Sequence, residues 1–422
     1  MTFLAACGPQ SATALSATQL AATNNVNSST TGGTTSHVTT APMPPTRTDC
    51  PANGQGRAAI TAPLALGSHQ NLVYVYNSSG AALLKRYDVS TGAKTTIVSL
   101  PNTAFYSAQL STDGQFILFV TQYAHHAQIQ MIRLDGQGLQ TLYCAKPGNG
   151  IPNYVANMLW SPNQQLAVFE ESNPGGAPGA ALVRLLNLSS GAVQTYITPT
   201  TRSGYTPQEW LNNTEVYMTG SYFSNIAAPH DVYILDISKG TDQVNNTRQV
   251  ASIIGYNWEM NLSTDGSKLI LSQCSDSPGQ DAPSSPSIIS SQNATGGTLN
   301  PIYISHVHAV TQARVISPNT MLMALGGKLG AGAEDGLWKI NMDGTGLVHL
   351  TTDGRLLSNT RTTWSSVSRN GNLYAVIGYN YIGNSDKFPF KVFYGSLSGG
   401  SPTQIDMTNA GENASIVGWT TM

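Results

Sequence analysis

A short polar turn recurs along this chain at nearly constant spacing. Seven copies begin at Ser111, Ser161, Leu211, Ser263, Ser317, Ser368 and Thr420. Successive copies lie 50, 50, 52, 54, 51 and 52 residues apart. A fixed period of this size is typical of a propeller, a solenoid or another repeat array. One period therefore corresponds to one structural unit.

Each unit contains several short runs with the character of strands. The run after the turn is apolar, as in Phe116 to Val120 and Leu269 to Leu271. Runs of β-branched and aromatic residues between Asn, Asp, Gly and Ser indicate strands, and Asp-Gly between two runs indicates a hairpin. A third run, such as Val183 to Leu188 or Leu337 to Met342, leads into a second turn and a fourth run. The unit is thus predicted to be a four-stranded sheet without a helix.

The two ends of the repeat region complement each other. Ile416 to Trp419 has the character of a lone first strand, whereas Leu72 to Tyr76 and Leu84 to Val89 look like second and third strands. Four-stranded sheets repeated around an axis form a β-propeller. We therefore predict an all-β, seven-bladed β-propeller closed by the C-terminal strand. Six blades are the alternative, if the unit at 207–252 is not a full blade.

Three segments carry a family resemblance: LSTDGQFILF, NLSTDGSKLILS and GLWKINMDGTGLVHLT. They resemble the propeller repeats of TolB-type and related bacterial envelope proteins, in which such turns join the strands of a blade. The resemblance covers Leu72 to the C-terminus, and the turns at Leu211 and Ser317 depart from it. The residues before Leu72 do not resemble the leading α/β domain of the TolB type. The role of TolB is therefore not expected of this chain.

The sequence of the N-terminal region predicts a lipid anchor followed by a flexible tether. Leu4-Ala5-Ala6-Cys7 resembles a bacterial lipobox in which Cys7 is acylated. The apolar stretch before Cys7 is shorter than a secretion signal, so either the natural start lies upstream or the match is chance. A segment of Ser, Thr, Ala, Asn and Gly follows, which behaves as a flexible tether. The predicted organisation is a signal-peptide remnant at 1–7, a disordered tether at 8–48 and the propeller at 49–422.

The amino-acid composition excludes some classes of binding partner and limits how the chain can contact a membrane. Charged residues make up 10% of the chain and the net charge is -2, which leaves no basic field for nucleic acid. No run approaches the 18 apolar residues of a membrane span. We expect a monomer that meets the membrane only through its lipid anchor. It would face the periplasm or the cell exterior.

Three cysteines remain once Cys7 is assigned to the lipid: Cys50, Cys144 and Cys274. An odd number allows at most one disulfide. Cys50 with Cys144 is the preferred pair, because it would pin the start of the ordered chain to the outer strand of a blade. Three unpaired, partly buried thiols are the alternative.

Motifs for chemistry are few. The sequence lacks the G-x-S-x-G motif of a hydrolase nucleophile. His306 and His308 could lie on one face of a strand and bind a metal ion, but the sequence offers no third ligand beside them. We therefore expect no metal and no cofactor. The Asp residues of the Ser-Thr-Asp-Gly turns are expected to bond their own turn. Glu170 and Glu171 are interpreted as the solvated start of a loop.

Five of the six tryptophans fall in predicted first strands. Trp160, Trp210 and Trp419 abut the turns and are expected to fill the wedges between blades. Trp258 and Trp364 lie at the opposite ends of their strands. Together with four polar residues they are the predicted ligand-binding mouth of the central channel: Tyr106, Asn157, Glu259 and Arg314. Packing between blades is the alternative role for this set.

Two hypotheses on function follow. The first is a non-catalytic binding or scaffolding module for a protein, a peptide or a glycan. The second is a carbohydrate-active hydrolase or lyase with acidic residues at the channel mouth, which would need two carboxylates facing each other.

Overall fold

The computed structural model of this chain is a β-propeller of seven antiparallel sheets. The structure describes residues 46–52, 56–59, 64–123, 126–145, 154–172, 181–198, 203–222, 230–241, 246–253, 257–274, 286–328, 332–354, 356–358, 363–378 and 389–422. Cys7 and most of the predicted tether lie outside these residues.

Twenty-seven strands are present in the described part of the chain. The first ten are β1 (Gln70–Asn77), β2 (Ala81–Asp88), β3 (Lys94–Pro101), β4 (Ala104–Leu110), β5 (Phe116–Gln122), β6 (Ala127–Arg133), β7 (Gln140–Cys144), β8 (Val155–Trp160), β9 (Leu166–Ser172) and β10 (Ala181–Asn187). The next nine are β11 (Val193–Ile197), β12 (Ser203–Trp210), β13 (Glu215–Tyr222), β14 (His230–Asp236), β15 (Thr247–Ile253), β16 (Asn257–Leu262), β17 (Lys268–Cys274), β18 (Ser287–Asn293) and β19 (Asn300–Ser305). The last eight are β20 (His308–Ser317), β21 (Thr320–Gly327), β22 (Gly336–Asn341), β23 (Val348–Thr351), β24 (Leu373–Gly378), β25 (Lys391–Ser396), β26 (Thr403–Met407) and β27 (Asn413–Thr421).

Six of the seven sheets take their strands in chain order, and neighbouring strands in every sheet are antiparallel. Five sheets are β4 to β7, β8 to β11, β12 to β15, β16 to β19 and β20 to β23, and the sixth is β24 to β26. The seventh has the order β27-β1-β2-β3. The 207–252 unit is a complete sheet, which excludes the six-bladed alternative. The predicted seven-bladed fold is confirmed.

The closing sheet joins the two ends of the chain. β27 pairs with β1, and Trp419 lies opposite Leu72 while Ile416 lies opposite Tyr74. Leu72 and Trp419 are both fully buried. The predicted closure by the C-terminal strand is therefore confirmed with its expected partner.

The core consists of seven apolar clusters, one for each junction between neighbouring sheets of the described chain. Successive side chains of a strand point to opposite faces. Accordingly Phe116 and Leu118 of β5 enter one junction, and Ile117 and Phe119 enter the next. This double burial explains why the second strands are continuous apolar runs rather than alternating ones. Trp160, at 5% exposure, and Trp210, at 6%, fill their junctions as predicted.

One sheet departs from the pattern. The inner position beside β24 is occupied by two segments that each form a single bridge, Leu356 with Ile377 and Val367 with Tyr374. Between them the chain forms the one-turn helix α1 (Thr363–Ser366). Trp364 therefore lies in a helix and not in the predicted first strand. The two bridges satisfy the inner edge of β24 at both ends, so a continuous first strand is not required there.

The N-terminal segment is tied to the outside of the β4 to β7 sheet. Arg47 forms a parallel bridge with Gln140 on β7, and the Gln140 side-chain amide exchanges two hydrogen bonds with the backbone of Ala59. Cys50 and Cys144 form a disulfide with their Cα atoms 5.7 Å apart. The preferred cysteine pairing is confirmed. The strand edge at β7 is thereby covered.

Helical structure in the described residues is limited to single turns such as α1 and Ile237–Lys239. None of these helices has the length and apolar character that crossing a bilayer requires.

Because β27 closes the ring, removal of one buried side chain from β27 is expected to reduce the stability of the protein strongly. Trp419→Ala removes a fully buried ring from the junction between the closing sheet and the β24 to β26 sheet. We expect the free energy of unfolding, measured by chemical denaturation, to fall by about 3–5 kcal/mol. Met407→Ala is the control, because Met407 is 49% exposed and its loss should change stability by less than about 0.5 kcal/mol. A loss below about 1 kcal/mol for Trp419→Ala would contradict the closure argument.

Candidate functional site

The recurring polar turns are structural elements. In the turn at Ser111, the Ser111 hydroxyl accepts a hydrogen bond from the Phe116 backbone at 2.9 Å, and Asp113 accepts one from Gln115 at 3.1 Å. Ser263 and Asp265 repeat this arrangement, and hydrogen bonds from Ser263 and Ser267 lower the pKa of Asp265 to about 2. Gly114 closes its turn with φ at +74°, a conformation that favours glycine. The predicted folding role is confirmed, and a binding site has to be sought at the other end of the inner strands.

The predicted mouth residues lie on the inner elements of five sheets. Tyr106 is on β4, Asn157 on β8, Glu259 on β16 and Arg314 on β20. Trp258 belongs to β16 and Trp364 to α1. The side chains of these two tryptophans lie outside the described part of the structure.

Glu259 and Arg314 bind each other across two sheets. Arg314 is 2% exposed, its Nη1 donates to Glu259 Oε2, and its Nη2 donates to Glu259 Oε1 at 2.8 Å. Arg314 Nη2 also donates to the carbonyl of Ser358 at 3.0 Å, and Glu259 accepts the backbone N–H of Ala313 at 3.0 Å. The pair joins three successive blades. The positive charge of Arg314 and the negative charge of Glu259 neutralise each other.

Other polar side chains of the inner strands also bind the backbone of the next blade. Gln109 accepts the N–H of Trp160 at 2.8 Å, Glu209 that of Leu262 at 2.9 Å and Asn261 that of Val315 at 2.6 Å. We call these contacts the inter-blade latches. They satisfy backbone donors that face the channel and fix the blades relative to one another.

A second group of polar residues lies on or beside β4, β8, β9 and β12. Its centre is Glu170 of β9, whose Oε2 accepts a hydrogen bond from Asn157 Nδ2 at 2.8 Å. Thr206 of β12 forms a second hydrogen bond with Glu170. Tyr154 and Tyr106 lie beside it, since the charge of Glu170 and the phenol of Tyr106 both act on Tyr154. We call these five residues the Glu170 cluster.

Asn157 reaches Glu170 because β8 is bulged. The register between β8 and β9 shifts between Ala156 and Leu159, and Asn157 has φ at +47°. Asparagine is one of the few residues other than glycine that tolerates this left-handed conformation. Bulges of this kind redirect side chains and are frequent beside functional sites. The bulge therefore points to the Glu170 cluster as a candidate site.

Glu170 is held in an environment that disfavours its charge. It is 7% exposed, and burial raises the pKa of its carboxyl group, while the hydrogen bonds from Thr206 and Asn157 oppose that rise. Burial also raises the pKa of Tyr154, to about 12, and the pKa of Tyr106. The interpretation of Glu170 and Glu171 as a solvated loop start was wrong, since both belong to β9 and both are buried. Strand pairing with the bulged β8 buries them.

Glu171 points to the opposite face of β9 and has a different environment. It accepts a hydrogen bond from the Tyr143 hydroxyl at 2.6 Å and pairs with Arg184 at 3.0 Å. Its charge is thus compensated within the junction between two blades. Glu170 and Glu171 stand out in the sequence as adjacent acids, but the sequence carries no signal that either of them is buried.

The histidine pair does not form a metal site. His306 lies in a bend and not on a strand, so it does not share a strand face with His308. His308 is buried, contacts the Tyr303 hydroxyl at 3.1 Å and packs on Trp338. His125 lies outside the described residues, and His126 stacks on Tyr123. Among the residues that the structure describes, no three His, Cys, Asp or Glu side chains are grouped to hold a metal ion.

No model of a known protein family matches the sequence, and no curated protein matches it either. Solved structures do match. Oligogalacturonate lyase from Vibrio parahaemolyticus is 12% identical over 80% of this chain and 86% of that one, with a TM-score of 0.53. The β-propeller domain of the Trilobed protease from Pyrococcus furiosus is 12% identical over 83% of this chain and 96% of that one, with a TM-score of 0.50.

TolB from Acinetobacter baumannii is also among the similar structures. It is 14% identical over 65% of this chain and 62% of the TolB chain, with a TM-score of 0.42. The predicted β-propeller fold is supported by the lyase and the protease domain, whose TM-scores are 0.53 and 0.50. At these identities the likeness does not extend to activity or ligands.

The raised pKa of Glu170 predicts how stability depends on pH. A carboxyl group whose pKa is higher in the folded than in the unfolded chain, where it is about 4.3, favours folding at low pH. That contribution is lost as the pH rises through the folded pKa. We therefore expect Glu170→Gln to gain stability relative to the natural chain as the pH rises above about 4, as measured by chemical denaturation at several pH values.

Asp265→Asn is the matched control of opposite sign. Asp265 has a lowered pKa, so its contribution is present at neutral pH and is lost as the pH falls toward 2. A Glu170→Gln variant whose advantage over the natural chain does not grow with pH would contradict the assignment of Glu170 as a buried, uncompensated acid.

Proposed function

We propose that this chain is an extracytoplasmic, lipid-anchored β-propeller that binds a protein, a peptide or a glycan at its channel mouth without catalysing a reaction. In this proposal the ligand meets Tyr106, Asn157, Trp258, Glu259, Arg314 or Trp364. The proposal rests on the observation that the carboxylates of Glu259 and Glu209 on the inner strands are already bound to other groups of the protein. Glu259 is bound through both oxygens to Arg314, and Glu209 accepts the backbone of Leu262.

The second hypothesis, a carbohydrate-active hydrolase or lyase, needs two carboxylates that can exchange protons or attack a substrate across the channel. Glu170 has the raised pKa that a general acid would require. Glu259 is the other acid of the predicted mouth, but both of its carboxylate oxygens accept hydrogen bonds from the buried Arg314. The binding role therefore fits the geometry better.

The disulfide supports a location outside the cytoplasm. Cys50 and Cys144 are joined, and such bonds persist in oxidising compartments but are rare in the cytosol. Cys7 would carry the lipid, and the tether at 8–48 would separate the propeller from the membrane by roughly 35 Å on average if it behaves as a flexible coil. The net charge of -2 leaves no basic field for a nucleic-acid partner, and the proposed state is a monomer.

A glycan and peptide array tests the binding role. We expect the full-length chain to bind a subset of probes, and the Trp258→Ala, Trp364→Ala double variant to lose at least tenfold in affinity for them. The reason is that a flat aromatic ring supplies much of the contact area for a bound chain. Trp338→Ala is the matched control, because Trp338 lies on β22, the third strand of its sheet, and packs against His308 and His349. Equal binding by the double variant and the natural chain would remove the channel mouth from the proposal.

Anchoring is tested by fractionation. With a secretion signal fused before residue 1, we expect Cys7→Ser to release the protein from the membrane fraction, because the acyl chains would have no attachment site. Cys274→Ser should stay in the membrane fraction. Retention of Cys7→Ser in membranes would refute the anchor.

A further inference from the structure

One position after the recurring turn differs between blades. In four blades the residue five positions after the first serine of the turn donates its backbone N–H to the hydroxyl of that serine, in each case at 2.9 Å. In three of these blades the residue is apolar and packs into a junction between sheets: Phe116, Leu166 and Leu373. In the fourth blade it is Lys268, which is exposed. The same backbone geometry therefore carries a cation where the repeat otherwise fills a junction.

A second position of the same junction is also polar. Lys268 lies on the same face of β17 as Ile270, which packs in the junction with the β20 to β23 sheet. Ser291 of β18 lies opposite Ile270. The matching residues of two other sheets are buried and apolar, Met131 and Leu185. An ammonium and a hydroxyl thus replace two apolar side chains in this junction.

The following blade leaves this end of the junction open. Its turn between β20 and β21 has two residues, whereas the turn between β16 and β17 has five. Neighbouring turns elsewhere are joined, since the Asn163 N–H donates to Asn213 at 3.0 Å. Within the described part of the chain, no hydrogen bond joins the turn at 263–267 to that at 318–319. The turns that border this end of the junction are all described: 263–267, 294–299, 318–319 and 342–347.

A cleft of about 330 Å³ lies at this position. We call it the Lys268 cleft, and its lining residues are Lys268, Ser291, Gln292, Asn293, Thr298 and Asn300. All of them belong to the blade of β16 to β19, so the neighbouring blade does not fill the space. The volume is at the lower end of the range for small-molecule sites, about 300–1,000 Å³. The cleft therefore matches a small ligand and not a folded partner.

The fold does not use most polar groups of the cleft. Among the described ion pairs Lys268 has no carboxylate partner, and Asp265, three residues before it, is held within its own turn. The side chains of Ser291, Asn293 and Thr298 form no hydrogen bond with other described residues. One ammonium, two hydroxyls and one amide are thus available to a ligand.

We propose that the Lys268 cleft is a second binding site and that it takes a sugar unit carrying a carboxylate or a phosphate. The ammonium offers such an anion a charge-assisted hydrogen bond. The hydroxyls and amides both donate and accept hydrogen bonds, as sugar hydroxyls do. A neutral sugar leaves the ammonium to water, and a simple anion leaves the neutral groups to water. An acidic sugar engages both kinds of group.

The Lys268 cleft is separate from the predicted mouth. Lys268 directly follows the turn at Ser263, whereas Trp258 lies at the other end of β16, opposite Gln273. The acidic-sugar site therefore goes beyond the proposed function of the mouth, and either site can exist without the other.

Calorimetric titration of the full-length chain tests the site. The acidic probes are D-glucuronate and D-glucose 6-phosphate, which distinguish a carboxylate from a phosphate. D-glucose, acetate and inorganic phosphate represent the separate parts. We expect at least one acidic sugar to bind at least about fivefold more tightly than D-glucose and than its own free anion. The same sugar should protect Lys268 from acetylation by an N-hydroxysuccinimide ester, read by mass spectrometry, but not the exposed Lys94 of β3.

Variants assign the binding to Lys268. Because Lys268 is exposed, Lys268→Gln should fold normally and weaken the acidic sugar at least about fivefold. Lys268→Arg should keep most of the affinity, since it keeps the charge. Lys94→Gln is the matched control, because it makes the same change in net charge on another blade, and it should bind as the natural chain does. The Trp258→Ala, Trp364→Ala double variant should also keep this affinity.

Several results would overturn the proposal. One is equal affinity for D-glucose, or for the free anion, and the acidic sugars. Another is an affinity that survives Lys268→Gln or a bound sugar that leaves Lys268 as reactive as before, because the sugar would then bind elsewhere. Absence of binding by both acidic sugars would also overturn it. None of these results bears on the mouth, whose role is decided by the array and by the tryptophan double variant.

Discussion

The pairing of β27 with β1 is the constraint on which the rest of this structure depends. A row of sheets has two terminal faces that stay exposed, whereas a ring has none. The closing sheet takes its inner strand from the C-terminus and its other three strands from the N-terminal region. It contributes to two apolar junctions, one through Val73 and Val75 and the other through Leu72 and Tyr74. Loss of this pairing would therefore open two junctions at once and would remove the common axis of the inner strands.

The same period that marks the sequence reappears in the contacts of the channel wall. Gln109 meets Trp160 at a separation of 51 residues, Glu209 meets Leu262 at 53, and Asn261 meets Val315 at 54. Each latch thus connects equivalent positions of neighbouring repeats. Inner strands need such polar residues because their channel side cannot be covered by a further strand, so backbone donors there must be satisfied by side chains. The fold itself therefore accounts for the polar side chains that line the channel, whether or not they also form a site.

The predictable features of this chain are those set by local interactions. The turn at Ser111 is held by hydrogen bonds among Ser111, Asp113 and Phe116, all within five residues, so its pattern is visible in the sequence. Strand order and closure follow from counting such turns, whereas the Cys50–Cys144 bond was one of two alternatives that the sequence left open. The burial of Glu170 does not, because Thr206 reaches it from the next blade and a bulge at Asn157 redirects the amide. Helix α1 could not be predicted for a similar reason, because two separate segments form the bridges to β24 that a first strand would otherwise form.

Glu170 and Glu171 show how adjacent acids on one strand acquire different roles. They have the same chemistry and nearly the same burial, at 7% and 3% exposure. The pleat sends Glu171 into a blade junction, where Arg184 and Tyr143 compensate its charge and make it part of the packing. It sends Glu170 toward an amide and a hydroxyl, which stabilise a charge far less than an arginine does. A fold that needed only to fill this position would be more stable with an apolar or amide side chain there. The pleat thus gives two adjacent acids different surroundings: Arg184 balances the charge of Glu171, whereas Asn157 and Thr206 hold Glu170 through neutral groups.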